Sequence, residues 1–212
     1  AICLETITGG NGVFEASQVW WDNISKFCKT KNIFLILDEV ICGFYRTGKA
    51  FGFQHYNLKP DFIALSKSIS GGYIPFGALW TSNDVAKYYD TNILSCGLTN
   101  YAHPLGLAAL DAIIKLTTDS HFKETMNENI SILKESLSEI KNVNRVKTVR
   151  QIGLLAAIDL ETSQSFKDIL NKGLYLMTSD KRIILAPALN YNPKQLKSAL
   201  KLLHKILEEE ND

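Results

Sequence analysis

Residues 32–39 read NIFLILDE and residues 60–67 read PDFIALSK, two short apolar runs that each close on charged side chains. Asn32–Leu37 is rich in isoleucine and leucine without polar alternation, the pattern of a strand covered on both faces in a parallel sheet. Upstream, Ala1–Leu4 reads as a strand and Val19–Cys28 as a helix, so the chain opens as a βαβ unit of an α/β fold. Downstream, a loop holding Gly43, Gly48 and Gly52 leads to Pro60, to the run Phe62–Leu65 and then to a third run, Gly77–Thr81. Parallel sheets bind ligands beyond the C-terminal ends of their strands. The ends of the three runs are expected to bring polar residues to one edge, with Asp38 and Glu39 at the first and Lys67 just past the second.

A helix over His103–Leu116 is marked by Leu107, Leu110 and Ile114 at helical spacing. From about Asp119 the character changes. Ile130, Leu133, Leu137 and Ile140 line one face of an amphipathic helix, followed by a strand at Leu154–Leu160, a helix at Phe166–Asn171 and a strand at Arg182–Ala186. A last helix starts after Pro193 with Leu196, Leu200, Leu203 and Leu207 as its buried stripe and a frayed acidic end. Two domains are expected: 1–118, and a smaller α+β domain over 119–212.

The 23 basic and 22 acidic residues are mixed along the chain, so its net charge of +1 gives no reason to expect nucleic acid or a membrane surface as partner. No apolar run approaches the roughly 20 residues of a membrane span. Cys3, Cys28, Cys42 and Cys96 form no CxxC pair and no metal-like spacing with the four histidines, which suggests reduced thiols in a cytoplasmic compartment and no metal site. The chain opens on Ala1 inside a strand-like run. It therefore reads as truncated, and an N-terminal targeting signal is not assessable.

A lysine at a strand end can be a plain surface residue, and taken alone Lys67 reads so. Asp38, 29 residues earlier at the end of the neighbouring run, changes the weighing. An aldehyde cofactor held covalently by lysine needs an anion beside its pyridine nitrogen, because the protonated ring then accepts the electron pair left when a substrate carbon loses its proton. The same lysine, once displaced by an incoming amine, can serve as general base and acid.

The stretch Leu37–Leu79, LDEVICGFYRTGKAFGFQHYNLKPDFIALSKSISGGYIPFGAL, resembles the signature of class III (omega-) aminotransferases. It carries the Asp-Glu-Val triplet, the Gly-Phe-x-Arg-Thr-Gly loop, Pro-Asp before the next strand, and a lysine ahead of Gly-Gly. Weaker resemblance covers nearly the whole chain. The resemblance implies a fold-type-I transferase dependent on pyridoxal 5'-phosphate, of which this chain is the C-terminal part of the large mixed-sheet domain plus the small C-terminal domain. It implies that Lys67 binds the cofactor covalently, Asp38 pairs with the ring nitrogen and Val40 packs on the ring, although by pattern alone Val40 reads equally as a core residue. Thr99, in GLTNYAHPLGLAA, would reach the cofactor phosphate of a second subunit, hence a homodimer. Glu5 matches a glutamate near the substrate pocket, although a solvated strand-end acid is an equal reading. Arg46 reads as a loop anchor tying backbone carbonyls, His103 as a capping or packing residue rather than a catalyst, and Cys42 and Cys96 as ordinary small residues.

Departures from the pattern are informative. An Ile41-Cys42 pair is usual in the omega-amino acid:pyruvate subgroup, whereas Thr6 replaces a common proline and Tyr45 a common glycine. Ile184 stands where acetylornithine-type members have an arginine that clamps a substrate carboxylate, which disfavours acetylornithine. The family's glycine-rich phosphate turn and aromatic ring wall lie in an N-terminal half that is not in this sequence, so a separate N-terminal half is a conceivable partner. The expected function is amino transfer from an amine or omega-amino acid to a keto acid, pyruvate being favoured. The alternatives are an aminomutase, racemase or decarboxylase of the same family, or an inactive fragment.

Overall fold

The computed structural model describes residues 1–209. In chain order it contains β1 (Ile2–Glu5), β2 (Ile7–Thr8), β3 (Phe14–Glu15), α1 (Gln18–Lys31), β4 (Leu35–Asp38), β5 (Phe62–Leu65), β6 (Ala78–Thr81), α2 (Asn83–Tyr88) and α3 (Pro104–Thr118). There follow α4 (Ser120–Ile140), β7 (Val146–Ile152), β8 (Leu155–Leu160), α5 (Phe166–Asn171), β9 (Met177–Ser179), β10 (Arg182–Leu185) and α6 (Pro193–Glu208). Contacts divide the chain into two units, and Thr8–Phe14 and Arg46–Gly48 belong with the second, alongside Asp119 onward.

In the first unit a four-stranded sheet has the order β1-β4-β5-β6. β1, β4 and β5 are parallel, and β6 runs antiparallel to β5 with Leu65 opposite Ala78. That antiparallel strand corrects one expectation: the third run begins, rather than ends, at the edge where Asp38 and Lys67 lie. The reason is its connection, since residues 66–77 are spent on a 3-10 turn and a glycine turn with no crossover helix of the kind parallel pairing requires. α1 outruns its apolar pattern at both ends because both ends are capped. Ser17 accepts from the Trp20 amide at 3.2 Å, and Asn32 closes the C-terminus in the left-handed region at φ 51°. Its inner residues Trp21 and Cys28 pack with Leu35, Leu37 and Leu58 into the core beneath the sheet.

The second unit builds an antiparallel sheet in the order β7-β8-β10-β9. β7 and β9 are absent from the sequence reading because their residues are mostly polar or exposed, as edge strands allow. α4 packs on α6, with Met126, Leu133, Leu137 and Ile140 on one and Leu196, Leu200, Leu203 and Leu207 on the other buried. Asn192 caps α6 and Pro193 occupies its first turn. The end of the chain expected to fray lies partly outside the described residues, which stop before 210–212.

Asp159 organises one face of this sheet. It accepts from Arg182 Nε at 2.5 Å, Arg150 Nη2 at 2.7 Å and Thr148 at 3.0 Å. Partial burial pushes its carboxyl up, but the hydrogen bonds from Arg182, Arg150 and Thr148 together outweigh it and hold the group at about 2. Arg46 Nη1 donates to the carbonyls of Leu154 and Pro187 at 2.9 and 2.6 Å, the anchoring role read from the sequence. Among the described residues no helix is long and apolar enough to cross a membrane, and no group of His, Cys, Asp and Glu could hold a metal.

Candidate active site

Glu5, Asp38 and Ala64 stand side by side across β1, β4 and β5, so the strand-end carboxylates of the first unit sit on neighbouring strands, about 5 Å apart at their backbones. β4 alternates. Leu35 and Leu37 enter the core under α1, and Phe34, Ile36 and Asp38 take the other face, where the rings of Phe34 and Phe62 meet edge to face at 5.3 Å. Asp38 Oδ1 accepts from the Val40 amide at 2.9 Å, and its second oxygen has no partner among the described residues.

Glu39, the next residue, has a different fate. It is 1% exposed, and its carboxylate is consumed by Thr6 Oγ1 at 2.6 Å and by the amides of Gly52 and Phe53, each at 2.7 Å. Burial raises its pKa against those hydrogen bonds. Of the two adjacent acids, Asp38 alone keeps an oxygen for a ligand. The sequence reading missed this division of labour, though the replacement of proline by Thr6 was its visible trace.

Lys67 opens a 3-10 turn, Lys67–Ser70, two residues past the end of β5. Had β5 run on, Lys67 would share a face with Ile63 and Leu65, opposite Ala64 and therefore opposite Asp38. The chain instead leaves the strand, and Lys67 adopts φ 49°, a left-handed conformation that costs a non-glycine residue about 1 kcal/mol or more. The surroundings hold it there. Ser66 and Ser70 donate to the carbonyls of Phe76 and Ile74, and Ile69 is buried. Gly71, at φ 61°, faces Ile113 of α3 so closely that a Cβ would lie 2.8 Å from its Cδ1. The Lys67 side chain is exposed and makes no hydrogen bond or ion pair with a described residue.

Val40 is half-buried directly after Glu39, and Glu5 is half-buried at the end of β1. Thr99 stands apart, exposed in the stretch between α2 and α3 and without a hydrogen bond to this cluster among the described residues. His103 Nδ1 accepts from the Leu105 amide at 3.3 Å, a capping contact at the start of α3. Cys42 is fully buried with its thiol donating to the Ile7 carbonyl at 3.2 Å, and burial pushes that thiol up to about 12. Phe44 and Tyr45 both have positive φ, 54° and 70°, which is why a glycine suits the position of Tyr45.

A carboxylate with an open oxygen at the end of β4, and a lysine without an ion pair in the turn just past the neighbouring β5, match the needs of a pyridine-aldehyde cofactor: an amine for its aldehyde and an anion for its ring nitrogen. The sequence profile of the Aminotransferase class-III family matches residues 1–207, and the chain belongs to the class III aminotransferases, a pyridoxal-phosphate-dependent family. The acetylornithine aminotransferase of Streptococcus mutans is 30% identical over 100% of this chain and 56% of its own length. The putrescine–pyruvate aminotransferase of Pseudomonas aeruginosa is 28% identical over 99% of this chain and 49% of its own. The taurine:2-oxoglutarate aminotransferase of Bifidobacterium kashiwanohense, solved with PLP and glutamate, superposes with a TM-score of 0.89 at 29% identity, over 97% of this chain and 50% of that one. The chain thus spans about half the length of the relatives it matches.

Proposed function

We propose that this chain carries the lysine-bearing part of an aminotransferase active site, moving an amino group from an amine or omega-amino acid to a keto acid, with pyruvate as acceptor. The observation that supports the reading is the placement of Asp38, its Oδ2 open, at the end of β4 beside Ala64 of β5, with Lys67 in the turn two residues past the end of that strand. Pyridoxal 5'-phosphate supplies, when bound, the electron sink for breaking a carbon–hydrogen bond beside the amine nitrogen. Asp38 would hold a proton on the ring nitrogen, and Val40, whose amide holds Asp38, would pack against the ring. Lys67 Nζ would be the group that holds the cofactor's aldehyde and, with that group bound, would serve as the base and acid that moves the substrate's carbon-bound proton.

Pyruvate is favoured by the Ile41-Cys42 pair and by the putrescine–pyruvate relative. Acetylornithine is disfavoured even though relatives bear that activity, because Ile184 is buried and the nearby Arg182 is already held by Asp159 and by the Asn11 carbonyl. In this reading the first unit belongs to the large cofactor-binding domain and the second to the small C-terminal domain. The protein is a homodimer in which Thr99 serves the partner's cofactor phosphate and Glu5 borders the substrate. Four free cysteines support a cytoplasmic location.

Borohydride trapping tests the core of the proposal. The chain, alone and mixed with a polypeptide supplying the other half of the fold, is incubated with pyridoxal 5'-phosphate, reduced and digested. A pyridoxyl group on the Lys67 peptide, lost in Lys67→Ala, is the expected result. No labelled Lys67 in either preparation removes the enzyme reading.

A further inference from the structure

Glu39 is the most heavily tied residue around the candidate site, and its ties converge on the two residues that flank it. Its amide donates to the Ala64 carbonyl at 3.0 Å and its carbonyl accepts from the Gly43 amide at 2.9 Å. Its Oε1 accepts from Thr6 Oγ1 and the Phe53 amide, and its Oε2 from the Gly52 amide. One buried residue therefore joins the segment after β1, the strand β5, the turn after β4 and the 3-10 turn Gly52–His55. No side chain could stand at Gly52, where a Cβ would lie 2.9 Å from that of Cys42 and 3.2 Å from Glu39 Oε2. Asp38 precedes Glu39, and the amide that holds Asp38 Oδ1 belongs to the rigid peptide unit linking Glu39 to Val40. Rotation of Glu39 would turn that N–H away from Asp38.

We propose that Glu39, clamped by Thr6, is a positioning residue that aims the open oxygen of Asp38 by fixing the Val40 amide. The inference rests on the reading of Asp38 as the ring-nitrogen partner, but its geometry is internal to this chain. Thr6 is the adjustable member of the clamp. Its hydroxyl bridges 33 residues of sequence to a carboxylate otherwise held by two backbone amides, and its removal leaves those amides bonded but less constrained.

Amide hydrogen exchange by NMR on the 212-residue chain without cofactor tests the clamp, with Val40 protection read relative to Leu37 of β4, the strand that leads into its turn, so that global stability cancels. Thr6→Val keeps the side-chain shape and removes the hydroxyl. It is expected to lower the protection of Gly52, Phe53 and Val40 together, by about tenfold, the factor that ~1.4 kcal/mol represents, and Thr6→Ser is expected to restore it. Acceleration at Gly52 and Phe53 with Val40 unchanged overturns the proposal, as does no acceleration at all. The wild type gives a second measurement that needs no variant: Val40, Gly52 and Phe53 should open with one common urea dependence, and separate slopes overturn the coupling. Because no cofactor is present, failure here is distinct from failure of Lys67 to take up pyridoxal 5'-phosphate.

Discussion

Gly106 of α3 lies against the ring of Phe76 so closely that a Cβ built on it would fall 2.2 Å from Cδ2. Phe76 closes the glycine turn that follows the Lys67 segment, and its carbonyl accepts from Ser66. The turn that presents the lysine is thus seated on a helix through a contact that only a residue without a side chain permits.

Gly106→Ala should therefore push α3 from the turn or force the Phe76 ring aside. Overpacking of this kind costs about 1–3 kcal/mol, although alanine's better helix propensity returns up to ~1 kcal/mol. Thermal unfolding should show a lowered midpoint, and pyridoxyl labelling of Lys67 should fall with it. Unchanged stability together with unchanged labelling would show that the contact does not support the turn.

Asp38→Asn keeps shape and the bond from the Val40 amide but removes the negative charge. Labelling of Lys67 should persist, whereas amino transfer in a competent preparation should drop on the order of a thousandfold, ~4 kcal/mol of transition-state stabilisation. Wild-type turnover in the variant would discredit the pyridinium role.

Acid should weaken the second unit through Asp159. Its carboxyl falls from an ordinary 3.8 to about 2 in the folded protein, so the folded state prefers the ion. A depressed carboxylate contributes stability that is complete above the unfolded pKa and is lost as pH drops through the folded one, here between about pH 4 and pH 2, with ~2 kcal/mol at stake. Urea midpoints measured across that window should slope downward in the wild type and be flatter in Asp159→Asn. Parallel slopes would assign the acid sensitivity to other carboxylates.

The four thiols should divide sharply towards an alkylating reagent. Cys3 and Cys96 are exposed, whereas Cys28 and Cys42 are buried and burial raises both of their thiols, that of Cys42 to about 12. Mass spectrometry of the folded protein under brief iodoacetamide treatment should find label on Cys3 and Cys96, with Cys28 and Cys42 modified only after unfolding. Early modification of Cys42 would contradict its burial.

Much of the architecture is legible in the linear sequence because it is written in short-range periodicity. The isoleucine and leucine run before Asp38 is a core strand, and the stripe from Leu196 to Leu207 is the buried face of α6. β7 is not legible because Lys147, Thr148, Arg150 and Gln151 hide its alternation behind polar side chains, and the purpose of Thr148 and Arg150 appears only when Asp159 of β8 meets them.

By itself the sequence determined the family, through many residue types at fixed offsets, and the places where strands end in charge. The tertiary structure alone decided which of two adjacent acids is consumed and which stays open, because Thr6, Gly52 and Phe53 reach Glu39 from segments 13 to 33 residues away. It also decided the direction of β6 and the left-handed backbone at Lys67. Periodicity records only whether a side chain is covered. Which donor satisfies a buried carboxylate depends on distant segments meeting, and the cost of leaving such a group unpaired selects the fold in which they do.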